Sequence, residues 1–177
     1  MKGKTMRLTK KISEVVAIPE VFEWNPKKED GTPMLEKPVK YELGGGKIKV
    51  FSISPEEIGK IRSRFIIMSI RGGETVQQFD ASGFQVAQFV ARCGGPDGYW
   101  EGFFGPDGNE LNCTTENQKA FSWNDGLRVF VCSYVGEMLD NEATGKATDE
   151  EKNLLRSLAG TPVGGKGLTP IAGVVRK

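Results

Sequence analysis

Any chemistry in this chain would rest on three cysteines, a few paired carboxylates and two glycine–lysine stretches, because it contains no histidine. That absence removes every His-dependent triad or dyad and every His-ligated metal site at once. Cys93, Cys113 and Cys132 are widely spaced and form no CxxC pair. Such spacing is not that of a zinc knuckle or ribbon. An odd count argues against a disulfide framework, so reduced thiols are expected. Cys93 and Cys132 fall on apolar helical faces, where a cysteine behaves as a small hydrophobe. A cysteine nucleophile would also need a base that the sequence does not offer.

Two stretches approach a phosphate-binding loop. "GGGK" at 44–47 lacks the earlier glycine, is followed by Ile48 and lies between two strands, so it reads as a turn. "GTPVGGKG" at 160–167 satisfies G-x-x-x-x-G-K, but Gly167 replaces the magnesium-binding hydroxyl and a helix precedes it where a strand is required. Glu56/Glu57 and Asp149–Glu151 are carboxylate clusters in first helical turns, where they favour the positive end of the helix dipole. The basic N-terminus and "NPKKED" read as solvated charge. The sequence therefore predicts no catalytic, cofactor-binding or metal-binding residue, and a protein that is not an enzyme.

The elements that would position side chains are legible from patterning. "VVAIPEVFEW" is extended, with Pro19 at an edge or bulge. "NPKKEDGTPMLEKP" (25–38) is a loop. "VKYEL-GGG-KIKVFSI" alternates on both sides of three glycines and predicts a β-hairpin over 39–53. Ser54, Pro55 and Glu57 form a helix start with a capping box. Ile58, Ile61, Phe65 and Met68 follow at helical spacing, with Ile66, Ile67 and Ile70 predicting a deeply buried second half and "RGGE" (71–74) as its breaker. A second helix is expected over about 80–92, closed by glycines. Thr114 or Thr115 caps a short helix through Phe121. Leu127, Phe130, Val131, Tyr134, Val135 and Met138 form the clearest amphipathic stripe. A last helix starts at the Thr148/Glu151 capping box and stops at Gly160. The expected fold is α+β: a single domain over 1–160, strand-rich over about 12–53 and mainly helical over 54–160, with 161–177 as a flexible tail or linker.

Composition sets few further limits. The 177 residues are 38% hydrophobic and 27% charged, with 24 basic and 23 acidic residues. Near-zero net charge asks for neither nucleic acid nor an anionic membrane. No apolar run reaches the length of a membrane span, and no signal-peptide core follows the basic start, which predicts a cytoplasmic protein.

One stretch stands out: "YWEGFFGPDGNELNCTTENQ", residues 99–118. Two Pro-Asp-Gly turns bracket "YWEGFF". The aromatic residues either fold back as a core cluster or present Trp100, Phe103 and Phe104 to a partner. Tyr134 and Met138 of the amphipathic helix are the other candidate partner-binding residues.

"WEGFFGPDGNELNCTTEN", an amphipathic helix and then "EEKN" resemble a pattern in small tail assembly proteins of long-tailed bacteriophages. The "LTKKI" lead, edge strand, hairpin and Ser-Pro-Glu helix start follow the same order. The resemblance covers about 7–160, with its specific residues in 100–117 and 150–153. The chain departs from the pattern in its longer 25–38 insertion and in Leu154-Leu155-Arg156-Ser157 after "EKN". What the resemblance implies is a tail assembly chaperone acting in the host cytoplasm. It would bind the long, aggregation-prone tape measure protein, and also the tail tube protein, and be absent from the finished virion. Such proteins are often made in two lengths by a ribosomal frameshift, for which "GGK" at 164–166 is a candidate slippage site. A structural tail or head–tail joining subunit that stays in the virion is the competing reading, and the sequence sets no oligomeric state.

Overall fold

The computed structural model describes residues 10–160 and, as backbone, the two-residue strand Val174–Val175. The tail expected over 161–177 lies otherwise outside the described residues. The fold is α+β. Strands β1 (Ser13–Ala17) and β2 (Val21–Trp24) run against β4 (Lys47–Phe51) and β3 (Val39–Glu42). Both pairings are antiparallel, with Ser13 opposite Phe51 and Val21 opposite Glu42. The two ladders are one residue out of register with each other, so they form a single long ribbon with a bulge in the middle.

That ribbon corrects the hairpin expected over 39–53. β3 and β4 do not pair with each other. Gly44, Gly45 and Gly46 lie at φ +80°, +82° and +103° and carry the chain across the bulge from one sheet to the other. Only glycine takes three such conformations in succession without strain. Opposite them, Pro19 interrupts the ladder, as a residue without an N–H must. Leu43 N–H bonds Glu20 carbonyl oxygen at 2.8 Å, and Ile18 N–H bonds that of Gly46 at 2.8 Å, which ties the two sides of the bulge. The 25–38 loop is the tip. β7 (Trp100–Glu101) adds to β4, giving the order β1-β4-β7, and β8 (Val174–Val175) adds to β2, giving β3-β2-β8.

Helix α1 (Pro55–Ser63) starts as expected, with Ser54 Oγ accepting from Glu57 N–H. It does not continue to residue 70. Ile66–Arg71 is strand β5 and Glu74–Phe79 is β6, an antiparallel pair turning at Gly72-Gly73, at φ +60° and +83°. A two-residue glycine loop between β-branched runs is the type I′ hairpin signal, and it outweighs the helical spacing of Phe65 and Met68. The isoleucines expected to be deeply buried are exposed.

Helix α2 (Ala81–Cys93) is capped by Asp80 and ended by left-handed Gly94. Helix α3 (Thr115–Phe121) is capped by Thr114. Helix α4 (Asp125–Arg128) passes through a π-helical stretch, Val129–Val135, into α5 (Gly136–Ala143). Helix α6 (Asp149–Leu158) carries the expected Thr148 cap. These helices cover the inner face of the ribbon. Val16, Ile48 and Val50 meet Phe89, Cys93, Phe130, Val135 and Leu139 in one apolar cluster, and Phe22 contacts Phe130 and Tyr134 rings at 5.2 Å each.

Candidate interaction site

Residues 98–113 form the excursion that the sequence singled out, and most of its polar atoms are spent on holding itself. β7 pairs with β4, bringing Trp100 opposite Ile48. Trp100 and Phe103 stack with ring centroids 4.2 Å apart and planes 9° from parallel. Phe121 of α3 closes both edge-on, at 5.3 and 5.0 Å. The Trp100 indole N–H donates to Leu111 carbonyl oxygen at 2.7 Å, and Leu111 N–H donates to that of Phe103 at 2.7 Å. Asp107 accepts from Asn109, and those bonds hold its carboxyl below the usual range. Glu110 accepts from Gly102 N–H at 2.8 Å. Tyr99 donates to Glu101, which raises the phenol above its ordinary value.

The five candidate partner-binding residues separate accordingly. Trp100, Phe103 and Met138 are buried in the core cluster, and Tyr134 packs against it with part of its ring in contact with Phe22 and Trp24. Phe104 alone stands open, 58% exposed. The structure therefore does not bring these five together on one surface. The stripe 127–138 is core, with Leu127, Phe130, Val131 and Val135 all buried.

An open cleft of about 450 Å³ runs beside the excursion, lined by Tyr99, Trp100, Glu110 and Cys113 among others. Its thiol is a poor nucleophile. Burial pushes Cys113 up, offset only in part by Gln118 Nε2, which donates to its sulfur at 3.3 Å. Burial also pushes Cys132 up to about 12 and Cys93 well above its ordinary value. A reactive cysteine needs the opposite shift. Among the described residues, no group of three His, Cys, Asp or Glu side chains is arranged to hold a metal ion, and no helix is long and apolar enough to cross a membrane.

Two features escaped the sequence reading. The first is an ion pair between a buried arginine and a half-buried aspartate. Arg92 of α2 is 2% exposed and meets Asp140 of α5 through two bonds of 2.6 Å. The same guanidinium donates to Phe51 and Gly136 carbonyl oxygens, and Asp140 also accepts from Ile53 N–H at 2.8 Å. A Cβ on Gly136 would sit 2.7 Å from Arg92 Nε, so that glycine gives the guanidinium room beside the π-helical stretch. This knot joins ribbon, α2 and α5 and is structural.

The second is the β5–β6 hairpin. Residues opposite each other share a face, so Ile66, Met68, Ile70, Thr75, Gln77 and Phe79 line one side. Ile66, Met68, Ile70 and Phe79 are 38%, 62%, 79% and 41% exposed. At the base of the hairpin Phe79 meets Phe84 at 5.5 Å and Arg62 lies over the Phe79 ring. The "GG" between two β-branched or Thr-rich runs was the signal that could have located it. Trp123, 68% exposed after α3, is a further apolar side chain left open.

No protein-family model, no curated protein and no solved structure matches this chain.

Proposed function

We propose that this protein is a non-catalytic tail assembly chaperone of a long-tailed bacteriophage, acting in the host cytoplasm by binding the tape measure protein and keeping it soluble. The reading takes its class from the sequence resemblance at 100–117 and 150–153. The observation that carries it is the open apolar face of the β5–β6 hairpin, Ile66, Met68, Ile70 and Phe79. A contiguous face of this kind with few charges marks an interaction site, since an uncovered one is an aggregation hazard. Long apolar helical segments are a chemically suitable partner, because their side-chain rows need a non-polar floor rather than a charged cleft. Phe104 and Trp123 are further exposed apolar side chains. The tail tube protein is a second expected partner.

The test is co-expression with the longest coiled-coil-like protein encoded beside this chain, scored by soluble yield and co-purification. The expected result is that the long protein is soluble only in the presence of this one, and that Ile70→Lys abolishes the rescue. No rescue, together with retention of this protein in purified particles, would replace the chaperone by the structural tail or head–tail joining subunit.

A further inference from the structure

We infer that the outer edge of β5 is a self-association edge, and that two copies of this chain pair there, antiparallel about a two-fold axis at Met68, into a four-stranded sheet of order β6-β5-β5-β6. The inference concerns the edge of the hairpin rather than its face and does not rest on the chaperone reading.

The pairing pattern fixes which backbone groups point outward. Asp80 N–H bonds Phe65 carbonyl oxygen at 2.9 Å, continuing the register in which Ile66 faces Phe79. In an antiparallel ladder, hydrogen-bonded and non-hydrogen-bonded pairs alternate. Ile67, Ser69 and Arg71 therefore point their N–H and C=O groups inward to β6. Ile66, Met68 and Ile70 point theirs away. Those outward groups have no hydrogen-bond partner among the described residues.

The edge carries none of the usual protection. Natural edges are blunted by lysines, prolines, inward charges or a covering element. "IIMSI" has no charge and no proline, and β5 is exposed along its length except at Ser69. An isolated two-stranded hairpin is marginal in water, and three or more strands are needed for independent stability.

The edge is also self-complementary. A two-fold axis at Met68 sets Ile66 opposite Ile70 of the other copy and Met68 opposite Met68, so all three outward residues fall in hydrogen-bonded positions. The flanking positions set Ile67 against Ser69, Phe65 against Arg71 and Arg64 against Gly72. No like charges oppose each other, which would otherwise destabilise the pair. Because directly opposed residues share a face, this pairing sets the Ile66, Met68 and Ile70 rows of the two copies side by side on one face of the sheet.

The test is sedimentation of the full chain across a concentration series, with charge variants at the axis. The wild type is expected at twice the chain mass of 19.4 kDa. Met68→Lys sets two lysines side by side at the axis and weakens the dimer at least tenfold. Gln77→Lys lies on the same face, but on β6, and leaves the dimer intact. Mixing Met68→Lys with Met68→Glu restores a heterodimer, which a folding defect would not allow. Met68→Cys forms an intermolecular disulfide at residue 68, because Cα atoms of a hydrogen-bonded pair are about 5.5 Å apart, within disulfide range. Gln77→Cys, three strand spacings from its counterpart, does not. A wild type that stays monomeric at all concentrations would overturn the inference. So would a dimer that is indifferent to Met68→Lys or fails to cross-link at residue 68.

Discussion

The Arg92–Asp140 knot and the β5–β6 hairpin are opposite solutions within one chain. At the knot, a charge that is costly to bury is held by a carboxylate and two carbonyl oxygens, with apolar side chains packed around it. In the hairpin, side chains that are cheap to bury are left in water, and backbone groups that want partners have none among the described residues. The first region is closed on itself. The second is left open among the described residues. The same contrast separates residues 99–113 from residues 66–79. Aromatic content drew attention to the former, yet its rings are stacked into the core, whereas the plain isoleucines of the latter face solvent.

The largest effect that would sharpen this contrast is at the knot. Asp140→Ala leaves Arg92 buried without its counter-charge and is expected to cost about 3–5 kcal/mol, the usual loss when one partner of a buried pair is removed. Urea unfolding measures it. Arg92→Met combined with Asp140→Leu should recover much of that loss, because removing both charges also removes their desolvation cost.

A smaller effect lies in the alkaline range. Burial raises Cys132 from an ordinary 9.0 to about 12. Between those values the unfolded chain gives up the thiol proton while the folded chain keeps it. Unfolding then gains from rising pH, so stability is full below pH 9 and falls above it. Tyr134, pushed by burial from 10.0 up to about 12, acts in the same direction. The urea midpoint should drop between pH 8.5 and 10.5, and less steeply in Cys132→Val. A midpoint that is flat over this range would place these groups outside the closed core.

The smallest stability effect is expected at the hairpin. At a concentration where the chain is monomeric, Ile70→Lys changes an open side chain and should shift stability by no more than about 0.5 kcal/mol, the usual range for surface substitutions. Circular dichroism and urea unfolding check this. A large loss would mean that Ile70 is packed within the monomer.

What the sequence revealed depended on whether the signal was local. Caps at Ser54, Thr114 and Thr148 need only a side-chain oxygen and an N–H three residues on, and all three form. The stripe from Leu127 to Met138 was legible because one helical face meets one core. The 39–53 hairpin was misjudged because alternation shows that strands exist but not which strands pair. The true partners of β3 and β4 lie across the 25–38 loop and a bulge. Residues 66–70 of the hairpin read as helix because Ile58, Ile61, Phe65 and Met68 also fit a 3.6-residue period. For the candidate site, the sequence leaves open whether Trp100, Phe103 and Phe104 fold back or face a partner, and of the three only Phe104 is exposed. The burial of Trp100 and Phe103 depends on Phe121 and Leu111, which no local pattern announces. The Arg92–Asp140 pair joins residues 48 positions apart and leaves no spacing to detect.

The central claim is that the hairpin, not the aromatic excursion, is the surface kept for other molecules. Amide hydrogen exchange, compared between the isolated chain and its complex with the long co-expressed partner, tests this most directly. The expected result is that residues 66–79 slow markedly in the complex relative to the isolated chain. Phe89–Cys93, Val129–Met138 and 99–113 should already be protected and change little. Slowing at 99–113, with 66–79 unaltered, would contradict it.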